Sequence, residues 1–159
     1  MADNIQKQNT GRIHPHSSEA EEAVLGCMLI NNKSVPKAVQ LLNKNSFYNT
    51  ANQIIFSNMI ELFEKNKNID YVSLIDQLSK NKQLKEVGDA YYITGLSTNA
   101  PSAENIEYYA EIVRDKYILR QIIQVAINIS NEAYESKEED LGLKTKYLYT
   151  LNLIMCTRL

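Results

Sequence analysis

The chain has 159 residues, with 17 basic and 19 acidic side chains, a formal net charge of -2 and an isoelectric point near 5.7. This length is enough for one domain that buries about 70% of the surface of its unfolded chain. The balanced charge excludes the overall basic footprint of an autonomous nucleic-acid-binding domain, so any DNA contact needs a local patch or a larger assembly.

Cysteine usage and hydropathy indicate a cytoplasmic protein without a membrane span. Cys27 and Cys156 are too far apart in sequence for a metal-ligand pair, and Cys27 falls on an apolar helix face, which suits a reducing compartment. Residues 1–12 lack the roughly 7 to 15 apolar residues of a signal peptide. Because they are polar and show no apolar periodicity, we interpret them as a flexible N-terminal arm. No stretch reaches the roughly 18 consecutive apolar residues of a membrane helix.

The stretch HPHSSEAEEAVLGCML, residues 14–29, could be a metal site or the beginning of a helix. His14 and His16 could both reach a divalent ion, but two imidazoles fall short of the roughly three or four ligands that zinc requires. Ser18 and Glu21 match the S-x-x-E capping box, and apolar residues then recur at helical spacing. The sequence therefore predicts a helix, with histidines that precede its cap and contribute nothing to stability.

Four more short helices are predicted in the first hundred residues. Ser34 is the expected cap of one, and an apolar repeat over residues 51–63 predicts the next. Asp70 is the expected N-cap of another, and a last one covers residues 89–96. Since no period-2 strand pattern competes, the fold class is all-α, with a compact helical head at 13–100.

A long helix is predicted after Pro101. Ser102 can cap it, and no glycine or proline interrupts the apolar periodicity before Ser136. At 1.5 Å per residue such a helix is about 50 Å long, which is more than a small globular core can cover. We therefore assign residues 101–140 to this helix and expect its far end to pack on something else.

One side of the long helix carries apolar residues beyond the stripe that would face the head. Four of them recur at intervals of four, three and four residues, namely Ile118, Ile122, Val125 and Ile129. Either they form an interface with another subunit or they cover the head itself. We predict the interface, and we predict no catalytic, cofactor-binding or metal-binding residues.

Residues 141–159 differ in composition from the rest. They contain no acidic residue and three basic ones, whereas residues 1–140 contain all 19 acidic and 14 of the 17 basic residues. Their apolar positions form no clean amphipathic stripe, and no cap precedes them. We interpret them as an atypical C-terminal tail.

The motifs of common catalytic sites are missing from the sequence. The five glycines form no G-x-x-x-x-G-K-[ST] phosphate loop, and the two histidines both lie ahead of the first helix, away from a nucleophile. Adjacent carboxylates such as Glu21 and Glu22 are interpreted as solvated helix faces rather than acid–base pairs. Catalysis by this chain is therefore not expected.

Five segments in a fixed order resemble the N-terminal domain of the bacterial replicative DNA helicase of the DnaB type. They are P-x-S-x-E-A-E-x-A-V-L-G, F-Y, I-D, P-S-A-x-N-I and Y-A-x-I-V-R, and the resemblance covers residues 13–140. It implies a helical head followed by a long helix that forms one arm of a helical hairpin. In that family the hairpins pair subunits into the N-terminal collar of a hexameric ring, which engages primase and helicase loaders.

The resemblance also implies where the chemistry of the family resides. The family hydrolyses ATP with magnesium in a RecA-like motor domain that follows the N-terminal domain, and it contacts DNA through the full-length ring. We expect this chain to be truncated before that domain and inactive alone, without a cofactor of its own. From Leu141 the sequence departs from the second hairpin arm of the family, which indicates a truncation, a frameshift or a divergent fragment.

The expected function is therefore an oligomerisation and partner-docking module in DNA replication, acting in the primosome. Two alternatives are kept. In the first, the chain represents the whole helicase and is active in ATP-dependent unwinding, which the missing phosphate loop disfavours. In the second, it is a freestanding helical adaptor, which the ordered motifs disfavour.

Overall fold

The structure is a computed structural model that describes residues 13–100 and 102–135. Within these residues it contains no β-strand, so the predicted all-α class is confirmed. The helices are α1 Ser18–Ile30, α2 Ser34–Leu41, α3 Thr50–Glu64, α4 Tyr71–Lys80, α5 Asp89–Thr98 and α6 Ile106–Glu135, with 3₁₀ turns at Lys44–Ser46 and Ala103–Asn105. The predicted arm at 1–12 and the predicted tail at 141–159 lie outside the described residues.

Side-chain caps define where α3 and α4 begin. The Asp70 carboxylate accepts the Ser73 N–H at 2.8 Å, while the Ser73 hydroxyl accepts the Asp70 N–H at 3.0 Å. This reciprocal capping box confirms the predicted N-cap of α4. At α3 the Asn49 side chain accepts the Ala51 N–H at 2.9 Å, and the helix predicted over 51–63 is confirmed.

Two predicted caps are wrong. The N-cap of α1 is Ser17 rather than Ser18, and its hydroxyl accepts the Ala20 N–H at 3.3 Å. Glu21 does not turn back to complete a capping box, because its carboxylate binds backbone N–H groups of a distant segment instead. Ser34 is the first residue of α2 rather than its cap, and its hydroxyl donates to the carbonyl of Ala103 at 3.4 Å.

A single hydrophobic core lies among the helices. Every helix from α1 to α6 contributes apolar side chains to it at helical spacing, which is the expected result of amphipathic patterning. Its largest fully buried apolar side chains are Leu25, Met28, Phe47, Ile55, Met59, Leu62, Ile69, Leu74, Leu78, Ile93 and Ile106.

The chain divides into two compact units, one that ends at Arg120 and one that begins at Gln121. Helix α6 contributes residues to both units. In the first unit Ile106, Ala110 and Val113 are buried, and their spacing of four and three residues marks the side of α6 that faces the core. The predicted boundary at residue 100 stays a prediction.

Helices α1 and α5 approach closely at Gly26. A β-carbon added there would lie 2.4 Å from the carbonyl oxygen of Leu96 and 2.7 Å from the β-carbon of Ala100. Backbone atoms cannot move aside as a flexible side chain can, so only glycine fits at this crossing. Gly95 on α5 offers the opposite case, since nothing lies within 4 Å of an added β-carbon.

We predict that Gly26→Ala lowers the free energy of unfolding by about 1–3 kcal/mol, because the methyl group overpacks the crossing. Urea denaturation followed by circular dichroism measures this change. Gly95→Ala is the matched control, and it should raise stability by up to about 1 kcal/mol through helix propensity. Equal stability of the Gly26→Ala variant and the parent would contradict the close crossing.

Candidate functional site

The four residues of the predicted interface all lie on α6. Ile118 belongs to the first unit and is 37% exposed, and Ile122 belongs to the second unit and is 39% exposed. Val125 and Ile129, also in the second unit, are half-buried. Leu119 adds another exposed apolar side chain at 40%. Exposed apolar side chains at helical spacing are typical of a contact surface, although isolated ones are common on any protein.

A groove opens on the first unit between α1, α5 and α6. Its volume is about 440 Å³. Leu96 and Ile112 give it an apolar lining, while Glu19 and Glu22 contribute carboxylates. Gly95 also lines the groove, and the open space beside this glycine leaves that wall accessible. The groove leaves no pattern in the sequence, because its walls come from segments that are about 80 residues apart.

A buried carboxylate organises the beginning of α3. Glu21 is only 2% exposed, which corrects its interpretation as part of a solvated face. Its carboxylate accepts the N–H groups of Tyr48 at 2.6 Å and Asn49 at 3.2 Å, and the side-chain amide of Asn52 at 3.0 Å. A carboxylate at a helix N-terminus is stabilised by these N–H groups and by the helix dipole.

The network continues from Glu21 to α5. The Tyr92 hydroxyl donates to the Asn52 side-chain oxygen at 2.8 Å and lies 3.3 Å from a carboxylate oxygen of Glu22. Burial, together with the negative charge of Glu22, raises the pKa of Tyr92 to about 12. The phenol therefore stays protonated and donates over the whole physiological pH range.

Arg120, the last residue of the first unit, binds three backbone carbonyls. Its guanidinium donates to Pro15 at 2.8 Å, to Ser46 at 2.6 Å and to Asn45 at 3.5 Å. The guanidinium carbon also lies 5.7 Å from the ring centroid of Tyr48 and 5.6 Å from that of Tyr117. Burial lowers the pKa of Arg120, and the nearby Glu21 opposes this effect.

The two histidines have a packing role that the sequence analysis did not anticipate. The His16 ring stacks on Tyr48 with 4.4 Å between centroids and 19° between planes. Its Nδ1 donates to the carbonyl of His14 at 2.7 Å. The stack on Tyr48 is a contact that the sequence did not predict, while the expectation that both histidines are irrelevant to stability stays a prediction. Among the residues that the structure describes, no group of three or more His, Cys, Asp or Glu side chains could hold a metal ion.

A signal for Glu21 and Arg120 was present in the sequence. Glu21 lies three and four residues before Val24 and Leu25, so it continues the buried stripe of α1. Arg120 follows Val113 and Tyr117 at intervals of four and three residues, so it continues the core-facing side of α6. A charged residue at a core position indicates a buried polar contact, although its partner cannot be read from spacing.

We predict that Glu21→Gln lowers the free energy of unfolding by about 1–3 kcal/mol. The amide that replaces one oxygen would point its own N–H groups at the backbone N–H of Tyr48 or Asn49, which then loses its acceptor. Thermal and urea unfolding measure the loss. Glu22→Gln is the matched control, since the glutamine oxygen can still accept from Tyr92, and we expect a change within about 0.5 kcal/mol. Equal effects of the two substitutions would contradict the role assigned to Glu21.

Comparison with known proteins settles the family. The family of the DnaB-like helicase N terminal domain matches residues 13–115. The chain belongs to this family. The predicted resemblance is thereby confirmed.

The replicative DNA helicase DnaB of Rhodothermus marinus is 37% identical over 128 residues, which cover 80% of this chain and 14% of that protein. The protein of the same name from Geobacillus stearothermophilus is 36% identical over 128 residues and is covered to 28%. This chain thus spans well under a third of the length of these relatives.

Solved structures share the fold. The N-terminal domain of DnaB helicase from Mycobacterium tuberculosis superposes with a TM-score of 0.82 at 24% identity, over 88% of this chain and 99% of that one. The N-terminal domain of DnaB helicase from Helicobacter pylori, described together with its interactions with primase, gives a TM-score of 0.63 at 25% identity, over 72% of this chain and 89% of that one. Within the described residues, no helix is long and apolar enough to span a membrane.

Proposed function

We propose that this chain is an oligomerisation and partner-docking module of a replicative DNA helicase, with no reaction of its own. The observation that carries the proposal is the exposed apolar side of α6 in a chain that belongs to the DnaB N-terminal family. Ile118 and Ile122 remain more than a third exposed, although each is large enough to gain from burial in a subunit interface. Since the relatives are replicative helicases, we place the module in the cytoplasm, in DNA replication.

Self-association is the first half of this function. We assign it to Ile118, Ile122, Val125 and Ile129, with Leu119 beside them. Because the sequence departs from the family pattern after residue 140, we expect weak association, up to a dimer.

We predict that Ile122→Glu combined with Val125→Lys abolishes self-association and leaves the first unit folded. Each charge would have to lose its water in the assembled state, which costs several kcal/mol, whereas it stays hydrated in the monomer. Sedimentation equilibrium measures the association, and thermal unfolding checks the fold.

The matched control for this variant introduces the same charges on the same helix. Gln124→Glu combined with Asn131→Lys replaces exposed polar residues that are not three or four residues from any residue of the proposed interface, and should leave association unchanged. A parent chain that is monomeric at every concentration would contradict the proposed self-association, and a stable hexamer would contradict the expected limit of a dimer.

Partner docking is the second half. A protein of the same family and fold has been described with its interactions with primase, which supports primase as the partner. We assign docking to the groove between α1, α5 and α6, because an apolar lining with carboxylates from Glu19 and Glu22 fits an apolar segment that carries basic residues. A helicase loader is the second partner that the family implies.

We predict that Gly95→Gln weakens binding of the primase from the same organism by about tenfold or more, which corresponds to about 1.4 kcal/mol. Nothing lies within 4 Å of a β-carbon added at Gly95, so there is room for a side chain at the groove wall and stability should not fall. Isothermal titration calorimetry measures the affinity. Val72→Gln, at a 73% exposed position of α4, is the control and should bind as the parent does. Unchanged affinity of the Gly95→Gln variant would exclude the groove.

A further inference from the structure

A short segment ahead of α1 lies against the head through a few polar contacts. We name residues His14–His16 the strap. Arg120 holds it through a 2.8 Å hydrogen bond to the Pro15 carbonyl, and Tyr48 holds it through the 4.4 Å stack with the His16 ring. Inside the strap, His16 Nδ1 donates to the His14 carbonyl at 2.7 Å, and Pro15 restricts the backbone between the two rings. The strap is therefore a small rigid piece with two points of attachment.

The strap is attached much less firmly than the helix that follows it. His14 is exposed and Pro15 and His16 are half-buried, whereas Val24 and Leu25 of α1 are fully buried. Segments with little buried apolar surface open locally at a free energy far below that of global unfolding. The contacts of the strap can therefore break without disturbing the core.

The partner of the strap remains in place when the strap leaves. Arg120 also donates to the carbonyls of Ser46 and Asn45 and lies beside the rings of Tyr48 and Tyr117. These contacts do not involve the strap, so they hold the guanidinium ready to bind the Pro15 carbonyl again. A preorganised donor of this kind makes closing and opening a transition between two defined states.

We propose that the strap is a releasable latch, which opens as a unit while the head stays folded, and that Arg120 is the positioning residue that closes it. Opening frees one guanidinium donor and uncovers the face of the Tyr48 ring that His16 covers.

The two histidines make the latch directly observable. The chain contains only these two, so their ring signals are easily assigned in a carbon–proton NMR spectrum. The ring current of Tyr48 should shift the signals of the stacked His16 upfield, while the exposed His14 provides an internal reference. In Arg120→Lys the charge is kept but the planar fork is lost. We expect the His16 signals of this variant to move to the position of His14, with unfolding still cooperative.

Arg114→Lys on the same helix is the matched control and should leave both histidine signals unchanged. If Arg120→Lys fails to fold, saturation-transfer NMR on the parent chain decides instead. There His16 should exchange with a minor state that has the chemical shifts of His14, while the methyl groups of the buried Met28 and Met59 show no exchange at that rate. An upfield His16 signal that persists in a folded Arg120→Lys variant would overturn the proposal, as would a parent chain in which His16 exchanges only together with the core.

Discussion

The turn that leads into α3 is held by two opposite charges that act on its backbone. The Glu21 carboxylate accepts the N–H groups of Tyr48 and Asn49, and the Arg120 guanidinium donates to the carbonyls of Ser46 and Asn45. A peptide carries partial positive charge at its N–H and partial negative charge at its carbonyl, so an anion on the amides and a cation on the carbonyls both lower the energy of the same turn. Glu21 is buried and Arg120 is half-buried, and the backbone groups that each side chain binds compensate for its loss of water. Helices α1 and α6 thereby fix the turn from which α3 begins, while the Asn49 cap defines its first residue.

The buried polar contacts contribute more to the choice of one helix packing than to the free energy of unfolding. An apolar side chain of similar volume in place of a buried charge is often neutral or stabilising in proteins, whereas removal of one partner is costly. Glu21, Asn52 and Tyr92 form a chain of hydrogen bonds across α1, α3 and α5, and a rotated or shifted helix would leave a buried polar atom without its partner. The close crossing at Gly26 adds a steric condition to the same pair α1 and α5, since any other residue would meet the Leu96 carbonyl. Polar and steric requirements therefore select the same packing.

Sequence reasoning predicted the parts of this molecule that local chemistry determines. The apolar repeat of α3 and the cap at Asp70 could be found because their causes lie within one turn of the helix they define. The contacts of Glu21 could not be predicted in this way. Its carboxylate could complete a local capping box or bind a distant segment, and in the structure it accepts the N–H groups of Tyr48 and Asn49. His16 was missed for a related reason, since the Tyr48 ring that it stacks on is 32 positions away in the sequence. The apolar residues of α6 were found by their spacing, but spacing does not reveal what covers them.

The two surfaces assigned to partner binding differ in chemistry, and this difference bears on how each would work. The residues assigned to self-association on α6 are all aliphatic, so their contribution comes from removal of apolar area from water and depends little on charge. The groove between α1, α5 and α6 combines an apolar lining with the carboxylates of Glu19 and Glu22, so charge would discriminate between partners there and would speed their approach. If both proposed surfaces are used, this difference in chemistry reduces competition between them, because a surface without charges does not attract a basic partner. The buried network supports the groove, since the hydrogen bond from Tyr92 to Asn52 fixes α5, which forms one wall of the groove, against α3.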